Sequence, residues 1–374
     1  MKKFVSTLLA GVMAVGLAAC SGSNGAASGS AAAGSSAAPA DIKVAMVTDY
    51  GDITDQSFNQ TTYEASKAWA EANGVEFTYK KPASDADQDR IASIEEAIDE
   101  GYNVIIMPGF AFGAAITEVS PTYPDVKFIA LDVSDVELPA NAYTAVYQEE
   151  LAGYMAGYAA VKLGYTKLGY LGGMAVPSVV RYGSGFVQGA NAAAVELGNT
   201  ADVVVNYVYG GKFFGDAGIT ARMDTWYGAG TEVVFAAGGS IYTSACEAAQ
   251  KTGGKVIGVD VDQAAIIDGA YGEGMTVTSA MKGLAATVNT MLDAIKNGEW
   301  DKYGGQVQNL GIVSENPDEN YVQLPASTQW AEGFTEDDYK ALVGKMFSGE
   351  IKVDNSVEAL PAVEITVNDE GSMG

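Results

Sequence analysis

Apolar, β-branched runs alternate with amphipathic stretches along most of the chain. IKVAMVT (42–48), VEFTYKK (75–81), NVIIMPG (103–109) and KFIALDV (127–133) form a first series. KLGYLGG (167–173), DVVVNYVYG (202–210), EVVFAAGG (232–239), KVIGVDVD (255–262) and MTVTSAMK (275–282) form a second. The intervening segments each have room for one helix. Continuous apolar strands alternating with helices predict parallel sheets covered on both faces, in two doubly wound units. Ser57, three before Gln60, reads as a capping box that opens a helix, and Asn73-Gly74 ends it. Ile91, Ile94 and Ile98 line one face of the next helix. The segment EELAGYMAGYAAVKLG carries Gly153 and Gly157 at a four-residue spacing. It is too short to span a membrane and opens with two glutamates, so the glycines predict close packing on a soluble sheet.

Outside this pattern lie the two ends. Lys2 and Lys3 precede an apolar run from Phe4 to Ala19, which reads as an export signal. It ends in Leu17, Ala18, Ala19 and Cys20, which resembles the lipobox of bacterial lipoproteins and implies a lipid on Cys20 that anchors the chain at the extracytoplasmic face of the cell membrane. Residues 20–40 then read as the lipidated cysteine and a flexible Ser/Gly/Ala tether. At the other end, 366–374 reads as a frayed tail.

Composition narrows the chemistry. The 374 residues are enough for two lobes, and 48% of them are apolar. Against 47 acidic residues stand 21 basic ones, or 19 without the signal, a net charge of −28. Such a field repels nucleic acid and phosphate-rich ligands. There is no histidine, the commonest general base and metal ligand, and Cys20 and Cys246 are the only cysteines. An internal disulfide or a cysteine zinc site is therefore not expected.

Ligands of open parallel sheets sit at the carboxyl ends of the strands. Asp49, Asp132 and Asp260 fall at such ends, in both units. Each alone would serve equally well as a helix cap. Asp49, Asp52 and Asp55 are spaced by three, not by the two-residue steps of a calcium loop, so no metal site is expected. Phe58 and Asn59 place a flat apolar face beside an amide at a helix start. Phe186, with Gly183 and Gly185 before it, offers a second aromatic, and Tyr182, Phe213 and Phe214 compete for that role. Gly238 and Gly239 end a strand with free backbone N–H groups, and Lys282 offers a countercharge. Phosphate-loop and dinucleotide signatures are missing from TGGKV and GSGFVQG, so a nucleotide or dinucleotide ligand is not expected, and no cofactor is expected.

VTDYGDITDQSFNQ, GGMAVPSVVRYGSGFVQGA, VVFAAGGS, VIGVDVDQ, VTSAMK and FSGEIKV together resemble the basic membrane protein family of bacterial lipoproteins, purine nucleoside receptor A-like substrate-binding components of ABC transporters. The resemblance implies a type I periplasmic binding protein fold, α/β, with two Rossmann-like doubly wound lobes and a hinge of three crossovers. It implies lobe 1 at 41–146 plus 281–312 and lobe 2 at 147–280 plus 313–365. It further implies a monomeric, non-enzymatic receptor that captures a nucleoside, of purine type first, and passes it to a membrane permease driven by a separate ATPase. Carried over by position, Phe58 and Phe186 would stack on the base, and Asn59 and Asp132 would read its edge. Asp49, Gly238, Asp260 and Lys282 would hold the ribose and the remaining edge. Three other readings stay open: a receptor for another heterocycle or a sugar, a solute sensor, and a calcium-dependent nucleoside hydrolase.

Overall fold

The computed structural model describes residues 42–373. The export signal, Cys20, the tether and Gly374 lie outside the described residues.

The first half of the chain runs β1 (Lys43–Val47), α1 (Phe58–Asn73), β2 (Glu76–Lys80), α2 (Asp87–Asp99), β3 (Val104–Pro108), α3 (Gly113–Thr122), β4 (Lys127–Leu131) and β5 (Ala142–Tyr147). Then come α4 (Glu149–Lys162), β6 (Lys167–Gly172), α5 (Pro177–Leu197), β7 (Val204–Tyr209), α6 (Ala217–Gly228), β8 (Val233–Ala237), α7 (Tyr242–Thr252), β9 (Lys255–Asp260), α8 (Ala264–Tyr271) and β10 (Thr276–Lys282). The last part holds α9 (Leu284–Lys296), β11 (Val307–Leu310), β12 (Val322–Gln323), α10 (Glu336–Phe347) and β13 (Thr366–Ser372).

Two sheets result, ordered β11-β5-β4-β3-β1-β2 and β12-β10-β9-β8-β6-β7-β13. Every pairing is parallel except that of β12 with β10. Each sheet is doubly wound, and its strand order reverses beside its first strand, between β1 and β3 and between β6 and β8. At such a switch point the loops diverge and leave a crevice for a ligand. The central strands are apolar on both faces because helices cover both: Val44 to Val47 and Val233 to Phe235 have no measurable exposure.

The chain passes between the sheets three times: after β5, after β10, and from β11 to β12. The three crossings are bonded to one another. Gln148 N–H donates to the Leu310 carbonyl, Gly283 N–H to that of Tyr321, and Tyr321 N–H to that of Gly311. After the second crossing α9 returns to the first sheet and packs on α1, where Trp69 Nε1 donates to Asp293 Oδ1 at 2.8 Å.

Several expectations need correction. The lobe boundaries fall one or two residues later than 146/147 and 280/281, because β5 runs to Tyr147 and β10 keeps Lys282 in the second sheet. The tail at 366–374 is not frayed through its length: Thr366–Ser372 is β13, parallel to β7 at the sheet edge. Its residues are polar because an edge strand buries little. It is held by the ladder and by Glu370, which accepts from Arg222 and Trp226. Finally, Gly153 and Gly157 of α4 meet a helix rather than a sheet. A Cβ on either would lie 2.1 Å from a carbonyl oxygen of α5, of Tyr182 or of Phe186. Gly185 and Gly189 of α5 return the contact against Glu150 and Tyr154, at 2.0 Å each.

Candidate functional site

The loop after β1 is organised by Asp55. Its carboxylate accepts from the backbone N–H groups of Ser57 (2.9 Å), Asn59 (2.9 Å) and Gln60 (3.0 Å), satisfying donors that a helix start leaves open. The capping box predicted at Ser57 does not form. The Ser57 hydroxyl instead crosses to the second sheet and donates to Asp260 Oδ2 at 2.6 Å. Asp52 accepts from Thr54 and pairs with Lys81 at 2.8 Å near the mouth.

Asp49 follows β1 and approaches Gly109 closely. A Cβ there would fall 1.8 Å from Asp49 Oδ2, and Gly109 has φ +127°, so both space and backbone call for glycine. Burial pushes the Asp49 carboxyl up to about 6, although the Gly51 N–H and the Asn59 side chain favour its charged form. Asn59 also donates an amide N–H to Asp55 at 3.3 Å, and its buried Oδ1 has no partner.

A second polar group forms where the sheets meet. Asp132, just past β4, and Asp260, the last residue of β9, both adopt left-handed backbones, with φ +62° and +66°. That conformation costs a non-glycine residue roughly 1–2 kcal/mol, and aspartate tolerates it better than most. Lys282 lies between them, with Nζ 2.6 Å from Asp132 Oδ2, 3.7 Å from Asp260 Oδ1 and 3.4 Å from Glu149 Oε1. Burial alone would lower the lysine pKa; Asp132, Asp260 and Glu149 together override it and raise it. Burial raises Asp260, while Lys282 and the Ser57 hydroxyl oppose that rise. Lys282 occupies one oxygen of Asp132, and the other, Oδ1, is buried without a partner. The Phe58 ring lies 4.7 Å from the ammonium, within cation–π range.

These groups line one cavity of about 410 Å³ between the carboxyl ends of the two sheets, within the size range of small-molecule sites. Asp49, Phe58, Asn59, Asp132, Gly238, Asp260 and Lys282 all line it. Phe186 does not. It is fully buried in the second lobe, with its ring 5.4 Å from Phe235 and 6.3 Å from Tyr170. The glycines beside it serve packing: a Cβ on Gly183 would strike Tyr207 and Tyr170, and one on Gly185 would strike Glu150. The second lobe's aromatics at the cavity are Tyr182, Phe213 and Phe214. Phe213 packs on Gly238 and Gly173 and meets Tyr50 of the opposite lobe at 6.5 Å. Its signal in the sequence was GGKFFGD, a glycine-rich loop at the carboxyl end of a strand.

Glu150 lies beside this centre and carries a test of its electrostatics. Burial is the main cause that pushes its carboxyl up to about 7, and its Oε2 has no hydrogen-bond partner. A folded pKa above the unfolded one means that the native state binds more protons across the window from 4.5 to about 7. The stability this group supports is therefore lost as pH rises through 7. Glu150→Gln should raise the unfolding free energy at pH 8 by on the order of 2 kcal/mol and leave it unchanged at pH 4. Urea titrations at the two pH values check this.

Comparison with known proteins gives the site a context. Residues 42–354 match the family described as ABC transporter substrate-binding protein PnrA-like. The chain belongs to this PnrA-like family. It is 28% identical over 297 residues to the ABC transporter nucleoside-binding protein BmpA of Lactococcus lactis, covering 74% of this chain and 81% of that one. Basic membrane protein A1 of Borrelia garinii is 26% identical, with 72% and 77% covered. An uncharacterized lipoprotein of Pyrococcus furiosus is 24% identical, with 78% and 72% covered. Among solved structures, an ABC transporter solute-binding protein of Aeropyrum pernix superposes with a TM-score of 0.69 at 20% identity, over 83% of this chain and 92% of that one. As a PnrA-like protein the chain binds a solute for an ABC transporter, which implies a permease and an ATPase as its partners. No helix among the described residues is long and apolar enough to cross a membrane.

Proposed function

We propose that the protein is a lipid-anchored extracytoplasmic receptor that captures a nucleoside, a purine nucleoside first, between its two lobes. The observation that carries the reading is the pair of buried acceptors without partners, Asn59 Oδ1 and Asp132 Oδ1, in an aromatic-lined cavity. A buried acceptor with no donor costs about 1–3 kcal/mol, so the ligand should present N–H or O–H groups at two places. A base on a ribose does so. The grouping of side chains divides the roles differently from the division that the resemblance implied. Asp49 interacts with Asn59, so these two suit the base edge. Asp132 and Asp260 share Lys282, so these three, with Gly238, suit the ribose hydroxyls. Phe58 supplies one stacking face, and Phe213 or Tyr182 the other.

The name of the Lactococcus relative, a nucleoside-binding protein, supports the same reading. A calcium-dependent hydrolase needs a carboxylate cage around its ion, whereas Asp55 is spent on capping and Asp52 on Lys81.

Isothermal titration of the chain from Ser21, in EDTA, with guanosine, inosine, adenosine, cytidine, uridine and ribose tests the proposal. Saturable binding of nucleosides but not ribose, with intact nucleoside recovered, is the expected result. No heat from any nucleoside, with protein free of carried-over ligand, rejects it. Phe58→Ala should weaken nucleoside binding about tenfold to a hundredfold, the contribution of one stacked base. A sugar receptor would instead lose more from Asp260→Ala than from Phe58→Ala.

A further inference from the structure

Glu149 does not line the cavity, yet it is completely buried and reaches both the site and the hinge. Its Oε1 lies 3.4 Å from Lys282 Nζ, and its Oε2 accepts from Arg181 Nε at 2.7 Å. Glu149 opens α4 one residue after the first crossing, and Lys282 ends β10 one residue before the second. The ion pair therefore ties two hinge segments together. A buried carboxylate is expensive, and well-packed apolar side chains stabilise a core at least as well, so this pair has little value as packing alone. It does fix a position. A lysine ammonium carries three donor hydrogens on a flexible stem, and here three carboxylates from three elements surround it.

We propose that Glu149, anchored by Arg181, is a positioning residue that holds Lys282 Nζ between Asp132 and Asp260, so that hinge geometry sets how firmly ligand hydroxyls are gripped. The inference takes from the nucleoside reading only the identity of those hydroxyls. With Glu149 in place the ammonium is held on Asp132 Oδ2, and Asp132 Oδ1 keeps no partner within the protein. Without it, Lys282 is free to move between the two aspartates and to compete with the ligand for their oxygens.

The test has two arms on the chain from Ser21. In the first, 15N-lysine labelling follows the Lys282 Nζ resonance without ligand, assigned with Lys282→Arg, in wild type and in Glu149→Gln. The resonance should shift or broaden in the variant. In the second, titration compares a nucleoside with its 2′,3′-dideoxy counterpart. Glu149→Gln should weaken the nucleoside about tenfold or more, the scale of one charge-assisted bond, and the dideoxy form far less. General damage to the fold would weaken both alike. An unmoved resonance, or a nucleoside-to-dideoxy ratio equal to that of wild type, overturns the inference. If wild type binds neither compound, the nucleoside reading fails, while the resonance still reports on Glu149. Should Glu149→Gln not fold, Arg181→Gln, at the outer end of the chain of contacts, carries both readouts with a smaller amplitude.

Discussion

Replacing Lys282 by methionine should lower the unfolding free energy by about 3–5 kcal/mol at pH 8, the usual cost of removing one partner from a buried charge cluster. The loss comes from what stays behind. Asp132, Asp260 and Glu149 would keep their burial and lose the cation that all three face. Phe58 would lose the charge over its ring as well. The pH dependence distinguishes this from ordinary packing damage. Without the lysine the carboxyls of Asp260 and Glu149, already raised by burial, rise further above their unfolded values, so the native state takes up protons as pH falls, and the lost stability returns. The gap between variant and wild type should be narrow near pH 4.5 and wide at pH 8, as read by urea titration. A gap of equal width at both would show that Lys282 is not the countercharge. Ligand binding should be lost at pH 8, since Asp132 and Asp260 would face the cavity with no cation between them.

The second large effect is steric, and its sign depends on place. Gly157→Ala should destabilise by roughly 3 kcal/mol, the upper end for an overpacked core, because the new Cβ would sit 2.1 Å from the Phe186 carbonyl oxygen and helix backbone cannot yield locally. Gly344→Ala, in α10 with nothing within 4 Å of its Cβ, should stabilise by about 0.5–1 kcal/mol through the helix preference alone. Thermal melts of the two variants give opposite shifts. Gly153→Ala should add a loss of ligand affinity to its loss of stability. Its Cβ would press on Tyr182, whose side chain lines the cavity and reaches Asp260 at 3.5 Å.

The strands with apolar, β-branched runs could be read from the sequence because burial on both faces demands that composition. β5 was not, since ten residues without a helix separate it from β4 and break the alternation. β11, β12 and β13 were missed for a different reason: they are short or polar edge strands, and their pairing depends on partners more than 150 residues away along the chain or, for β12, about 40. At the site, Asp49, Asp132 and Asp260 were legible because their position at strand ends is topological. Phe186 was misassigned because glycines that admit a ligand and glycines that admit a neighbouring helix look alike in one dimension. Ser57 was read as a cap because a local rule fits it, but a carboxylate 203 residues away takes its hydroxyl. Glu149 was read only as one of two glutamates that open a helix, since the two cations it meets stand 32 and 133 residues away along the chain.

The way both sheets are completed governs how the protein can come into being. β5 waits for β11, β10 for β12 and β7 for β13, so each sheet's outermost partner arrives in the last fifth of the chain. A polypeptide delivered from its N-terminus, by a ribosome or through a translocation pore, cannot finish either half early. The leading half gains its last edge strand only when β11 has emerged. The cost falls on truncated products: a chain that stops before residue 366 leaves β7 as an open edge, a template for pairing with another copy.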